Sequence, residues 1–203
     1  MLLQKPTDDE VRRFLAAQSK LPFPYPEVGA SRNSSIPPGY PINQHRAKLG
    51  EGEEIFDHAV AALRSWQMYS TGWTKLYWPD TPIREGEVVA ILANHFGFWS
   101  LNACRIIYSL EEEGALSRYG FAFGTLPGHM EEGEERFTVE WDRESGAVWY
   151  ELFAFARPKA RLAKIAYPLV RLIQKRFAVD SFRGMKKAVK SAYASQGQEP
   201  DSQ

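Results

Sequence analysis

Between residues 72 and 157 the chain keeps a strand-like period of two through six successive segments, 72–78, 87–95, 99–110, 118–125, 134–141 and 147–157. Turn signals separate them: Pro79 and Pro82, Gly97, the run 111–114, Pro127 to Gly133, and Ser145-Gly146. Connections this short leave no room for crossover helices, so the pattern predicts an antiparallel meander. The alternation is clearest after residue 136, where Phe137, Val139 and Trp141 take one face and Arg136, Thr138 and Glu140 the other.

Helical patterns flank the meander. Thr7 followed by Glu10, then Val11, Phe14 and Leu15, predicts a capping box and a short amphipathic helix. Six prolines within 21–44 exclude helix there and suggest a wrapped arm or a linker, with one short extended piece near 27–32. Ile55, Phe56, Ala59, Val60, Leu63 and Trp66 form one stripe of a helix over 51–67. A last helical pattern runs over 158–193, with Pro158 suited to its first turn and Pro168 marking a kink or break. The expected organisation is an N-terminal helical extension 1–24, a single domain 25–194 and a flexible tail 195–203.

These elements bury their apolar faces together most economically as an α+β helix-grip fold, a curved antiparallel sheet of six or seven strands wrapped around the long C-terminal helix. Such an arrangement leaves a space between sheet and helix that is filled by side chains or holds a guest.

The chain has 203 residues, 44% of them apolar and 25% charged, with Lys plus Arg equal to Asp plus Glu. That zero balance argues against a nucleic-acid backbone as partner. The charge is uneven, however: 157–190 holds eleven basic residues and one acid, Asp180. This stretch is either a solvated helix face or a surface for transient contact with an anionic membrane. A single cysteine, Cys104, and a start without the apolar core of a signal peptide lead us to expect a cytoplasmic protein.

The segments LGEGEEIFDHAVAALRSWQMYSTGW (49–73), NACRIIYSL (102–110), YGFAFGTLPGHMEEGEERF (119–137) and FARPKARLAKIAYPLVRLIQKRF (155–177) occur in the order found in the DUF1990 family, also catalogued as UPF0548. The chain resembles that family over roughly 25–190. The resemblance implies a fold name and no activity. It is similar as well to the START-like, Bet v 1-like (SRPBCC) superfamily, whose helix-grip members commonly hold lipids, hormones or polyketides between sheet and helix. Members usually place two short helices between the first two strands, whereas a single helix, 51–67, is expected here.

On this reading the protein binds a small hydrophobic or amphipathic ligand, lipid-like or polyketide-like. Arg105, Tyr108, Tyr119, Phe121, Phe123, Thr125, Trp149 and Phe153 are the candidate ligand-binding residues. Arg105, between apolar neighbours, either binds an anionic group or pairs with an acid such as Glu151. The aromatic set either fills the core or walls a pocket. The glycine-rich stretch 125–133 reads first as a tight hairpin connection. In its functional reading His129 works with a glutamate, Glu131 or Glu134 and failing these Glu132 or Glu135, as an acid/base pair of a cyclase- or hydrolase-like enzyme using the same cavity. Cys104 reads as a small buried thiol. No second histidine stands at ligand spacing, and there is no phosphate loop, dinucleotide fingerprint, GxSxG or CxxC, so neither metal nor cofactor is expected.

Overall fold

The structure is a computed structural model and describes residues 2–33, 38–95, 97–159 and 167–196. Helix α1 (Asp8–Gln18) leads through an arm to β1 (Ile42–Glu51), α2 (Glu53–Arg64) and β2 (Thr74–Tyr77). Five strands follow, β3 (Val88–His95), β4 (Phe98–Glu112), β5 (Leu116–Thr125), β6 (Glu131–Asp142) and β7 (Ala147–Pro158), and α3 (Tyr167–Gln196) is the last described element. All seven strands form one antiparallel sheet in the order β1-β7-β6-β5-β4-β3-β2. The meander is as expected, and α2 and α3 pack on its concave face, giving the helix-grip fold.

Three local expectations need correction. Residues 27–32 hold a 3-10 turn, Ala30–Arg32, and the first strand lies instead at Ile42–Glu51, paired with β7. Its inward positions include Asn43 and His45, so no apolar alternation announces it. Helix 51–67 stops at Arg64, because Trp66 adopts a left-handed φ of 57° and a separate 3-10 turn, Gln67–Tyr69, follows. Pro158 closes β7 rather than opening a helix. Pro168 falls in the first turn of α3, where its missing N–H has no helical partner to lose. The helix expected over 160–166 and the tail 197–203 lie outside the described residues.

The core sits between the concave face and the two helices. Ala59, Ala62 and Leu63 of α2 and Ala178, Met185 and Val189 of α3 meet Ile106, Phe121, Phe137, Val139 and Leu152 of the sheet. Each fully buried Leu, Ile, Phe or Met side chain contributes about 1.5–3 kcal/mol. At Gly184 α3 comes close to the turn after α2, where an added Cβ would lie 2.5 Å from the carbonyl oxygen of Gln67.

The convex face is covered too. The capping box forms as expected, with Glu10 N–H donating to Thr7 Oγ1 and Thr7 N–H to Glu10 Oε2. Helix α1 then lays Val11 and Leu15 against Tyr77, Ala90, Leu92 and Trp99. The arm 23–32 crosses β4 to β7, and a Cβ at Gly124 would meet the Tyr25 hydroxyl at 2.0 Å, so only glycine admits the arm there.

Candidate functional site

Strand period two divides the candidates between the faces. On the convex face Arg105 donates to the carbonyls of Ser19 (2.7 Å) and Leu21 (3.0 Å), closing the C-terminal end of α1. Neither an acid nor a ligand space is needed to explain it, and Glu151 pairs instead with Arg136 at 2.7 Å. Tyr108 shares this face because a bulge between Ile106 and Tyr108 shifts the register, and its hydroxyl meets Ser31 Oγ at 2.8 Å. Trp149 lies under the Arg46 guanidinium, and Phe153 packs with Tyr40 and Phe155. None of these four reaches the space facing α3.

Glu134 is on the convex face as well. Its carboxylate accepts from Gly29 N–H (2.5 Å), Ser31 N–H (2.9 Å) and the Tyr25 hydroxyl (3.4 Å), and 1% of the residue is exposed. It is the pin of the arm, and the sheet separates it from His129, so the two do not form an acid/base pair.

On the concave face Tyr119, Phe121, Phe123 and Thr125 line up along β5. Rings fill the part next to α2: Phe121 lies 5.0 Å from Trp66 and 5.5 Å from Phe137, and Phe123 5.7 Å from Phe137. Tyr119 carries the Arg64 guanidinium over its ring and borders a pocket of about 370 Å³ with Ser109 and Pro82. The Thr125 hydroxyl accepts from Gly133 N–H at 3.1 Å and steadies the β5–β6 turn.

Beyond the rings, towards that turn, the inward face becomes polar. Glu131 and Glu135 continue the row of Phe137, Val139 and Trp141, and Glu135 stands between Phe123 and Ala154 of the neighbouring strands. Glu131 Oε1 accepts from Gln174 of α3 at 2.9 Å, and Arg171 donates to Gln174 Oε1 at 3.1 Å. Glu135 has no hydrogen-bond or ion-pair partner among the described residues. It sits deep in the molecule yet keeps some surface accessible to water; the polar end of the concave face around it, between β6 and α3, is termed the recess. Burial, followed by the charge of Glu131, pushes its carboxyl up to about 8. Burial raises Glu131 too, against the pull of Gln174 and Arg171.

Tyr69 faces the same recess. Its ring packs 6.1 Å from Phe137 and 5.2 Å from Phe177, and 6% of the residue is exposed. Its hydroxyl has no hydrogen-bond partner among the described residues, and burial, then the charge of Glu135, raises its pKa well above the ordinary tyrosine value. The Tyr150 hydroxyl nearby is bonded to Ser181 Oγ at 2.8 Å.

His129 sits at the rim, on the β5–β6 turn, with Nδ1 accepting Glu131 N–H at 2.9 Å. Burial and then the Lys159 charge depress the imidazole to about 4, so near neutrality it is uncharged with its hydrogen on Nε2. The ring therefore offers a donor and has already spent its lone pair. Cys104 is buried beside this group, and desolvation raises its thiol well above the usual range. Among the described residues no three His, Cys, Asp or Glu side chains come together as a metal site.

Sequence reasoning missed Tyr69 and named Glu135 only as one of four glutamates near His129. Its phase with Phe137, Val139 and Trp141 would have set it apart, since Glu134 is out of phase. Nothing in the sequence marked Tyr69, whose position follows from the left-handed Trp66 before it.

The family described as "Domain of unknown function (DUF1990)" matches residues 24–184, a span holding both the arm pinned by Glu134 and the recess. A UPF0548 protein of Dictyostelium discoideum is 35% identical over 205 residues, covering 93% of this chain and 95% of its own. Another, of Deinococcus radiodurans, is 38% identical over 187 residues, covering 87% and 92%. Among solved structures, TTHA0849 from Thermus thermophilus aligns with a TM-score of 0.52 at 14% identity over 75% of this chain and 99% of that one, a likeness of fold alone. On the extent of these matches, the chain belongs to the DUF1990 family.

Proposed function

We propose that this protein binds a small hydrophobic or amphipathic molecule, lipid-like or polyketide-like, in the recess between the concave face of the sheet and α3. The observation that carries the reading is the pair Glu135 and Tyr69, deep, in touch with water and without a bonding partner among the described residues. Buried polar groups in folded proteins are satisfied, so two such groups on an apolar wall of Phe123, Phe137, Ala154 and Phe177 are complementary to a guest with an apolar body and a polar end. Solvent extraction of the purified protein followed by mass spectrometry is expected to release such a compound. The stripped protein is expected to take up an apolar fluorescent dye that the extract displaces. Clean extracts together with no dye uptake would overturn the reading.

The same recess would serve an acid/base enzyme. What favours that second reading is Glu135, whose carboxyl titrates close to neutrality. His129 fits the role of base poorly, given its occupied Nδ1.

The outward face of α3 exposes Leu169, Leu172 and Val179 beside Lys175, Arg176, Arg183, Lys186, Lys187 and Lys190. An apolar strip set among cations is complementary to an anionic lipid surface, and we propose transient contact there, suited to loading or delivering an apolar guest. The protein is expected to sediment with phosphatidylserine-containing vesicles in low salt and to stay in solution with phosphatidylcholine alone. Equal behaviour with both would remove the contact. No described helix is long and apolar enough to cross a membrane. We place the protein in the cytoplasm, where the thiol of Cys104 stays reduced.

A further inference from the structure

We infer that Tyr69 and Glu135 act together as two hydrogen-bond donors to a carbonyl oxygen at the polar end of the ligand, so that the recess selects ketones, esters or quinones over amines. The inference rests on the binding role proposed above and specifies its chemistry.

The geometry begins with two side chains on different elements. Glu135 projects from β6 one inward step beyond Phe137, and Tyr69 leans its ring on that same Phe137 from the 3-10 turn after α2. The two are close enough to feel each other's charge and no hydrogen bond joins them, so neither group is committed to the other.

The surroundings decide which protons are present. Glu131 on its own strand, Cys104 on β4, Tyr150 on β7 and Tyr69 lie within electrostatic reach of Glu135. Farther out, Lys159 acts on His129 and Cys104, Arg171 on Glu131, and Arg171 with Lys175 on His45. No cation among the described residues pairs with Glu135, and the negative charge of Glu131 opposes its ionisation, so near neutrality it carries its proton. The Tyr69 hydroxyl, raised in the same way, also keeps its hydrogen. His129 adds a third donor at the rim through Nε2–H.

A recess furnished with donors is complementary to an oxygen with free lone pairs. An ammonium group brings only further donors, and the neighbouring Glu131 already has the Arg171 cation within reach. A carbonyl oxygen accepts two hydrogen bonds at once, which matches the two unpartnered groups.

Two matched sets of probes test this: acetophenone, ethylbenzene and 1-phenylethylamine, and their 2-naphthyl homologues, titrated into the stripped protein by calorimetry at pH 6. In at least one size the ketone is expected to bind about tenfold or more tighter than its hydrocarbon, and the amine no better than the hydrocarbon. The bound ketone's C=O stretch is expected to move to lower wavenumber. Tyr69→Phe is expected to reduce the ketone preference to about threefold or less while leaving hydrocarbon affinity unchanged. Raising the pH past Glu135's titration converts a donor into a charged acceptor, so ketone binding falls there in the native protein. Glu135→Gln keeps an N–H donor and is expected to hold its ketone binding through the same range.

Equal affinity for ketone and hydrocarbon, a preference for the amine, or an unshifted C=O stretch overturns the donor pair while leaving the recess a binding site. Failure of all six probes to bind overturns the binding role itself, and the inference with it.

Discussion

Glu134→Ala is expected to lose about 3 kcal/mol of stability in urea unfolding and to open the arm 23–32 to proteases. The native carboxylate is almost wholly buried and accepts from two backbone N–H groups and a tyrosine hydroxyl. Hydrogen bonds to a charged group are worth about 1.5–3 kcal/mol each, and the gain is offset in part by the desolvation of the carboxylate. Without that acceptor the N–H groups of Gly29 and Ser31 are orphaned, and the arm recovers partners by lifting into water. Arg136 keeps its contacts to Glu151 and the Ser31 carbonyl, so the arm is expected to fray while the sheet stays folded. Glu134→Gln, which retains one acceptor oxygen, is expected to fall between native and alanine forms. An alanine variant as stable and as protease-resistant as the native chain would show that the arm is held by something else.

Glu135→Gln is expected to act in the opposite direction, stabilising the stripped protein at pH 8 and leaving it unchanged at pH 4. The folded protein holds this carboxyl at about 8, against 4.5 for the ordinary side chain. Below 4.5 the group is protonated in both states and contributes no difference. Between 4.5 and 8 the unfolded chain ionises freely while the folded one resists, so native stability declines across that window and levels off above it. After discounting for the water that reaches the recess, the glutamine gains on the order of 2 kcal/mol at pH 8. In a domain of this size that corresponds to roughly 4–8 °C in melting temperature. Thermal melts of both proteins from pH 4 to pH 9 check it, and parallel curves would mean that the carboxyl is already paired. An exposed carboxylate changed to glutamine shows no such window. The result would also explain why a carboxyl with a destabilising tendency is kept where an apolar residue would pack, namely that it serves the guest rather than the fold.

The meander was legible because its physics is local. Alternation along 137–141 and the turn residues between segments depend on neighbours in the chain, and each strand pairs with the next. The same is true of the capping box at Thr7 and Glu10. β1 was illegible because its inward positions include Asn43 and His45, which hydrogen-bond to each other, so the apolar alternation that betrays a half-buried strand is missing there. The break at Trp66 was hidden because a left-handed tryptophan has no local sequence cause, and it is fixed by packing against Phe121 and Tyr69.

Candidate residues divided in the same way. Phe121, Phe123 and Thr125 share one face by the plain alternation of β5, whereas alternation alone would keep Tyr108 on the face of Cys104 and a bulge moves it to the other. Arg105 and Glu134 carry the charge that suggests chemistry, yet their partners lie 84 or more residues away in sequence, in a proline-rich arm whose path no local rule gives.

By itself, then, the sequence determined the six-strand meander, the presence of helices on either side of it and the family, since the local patterns rest on interactions between residues a few positions apart. Tertiary structure alone decided which face of each strand the arm would seal, and that Tyr69 and Glu135 would meet across the same recess. The reason is that a sheet has two faces of equal period: alternation sorts side chains into two sets, and only the segments that come to lie on each face settle which set is the inside.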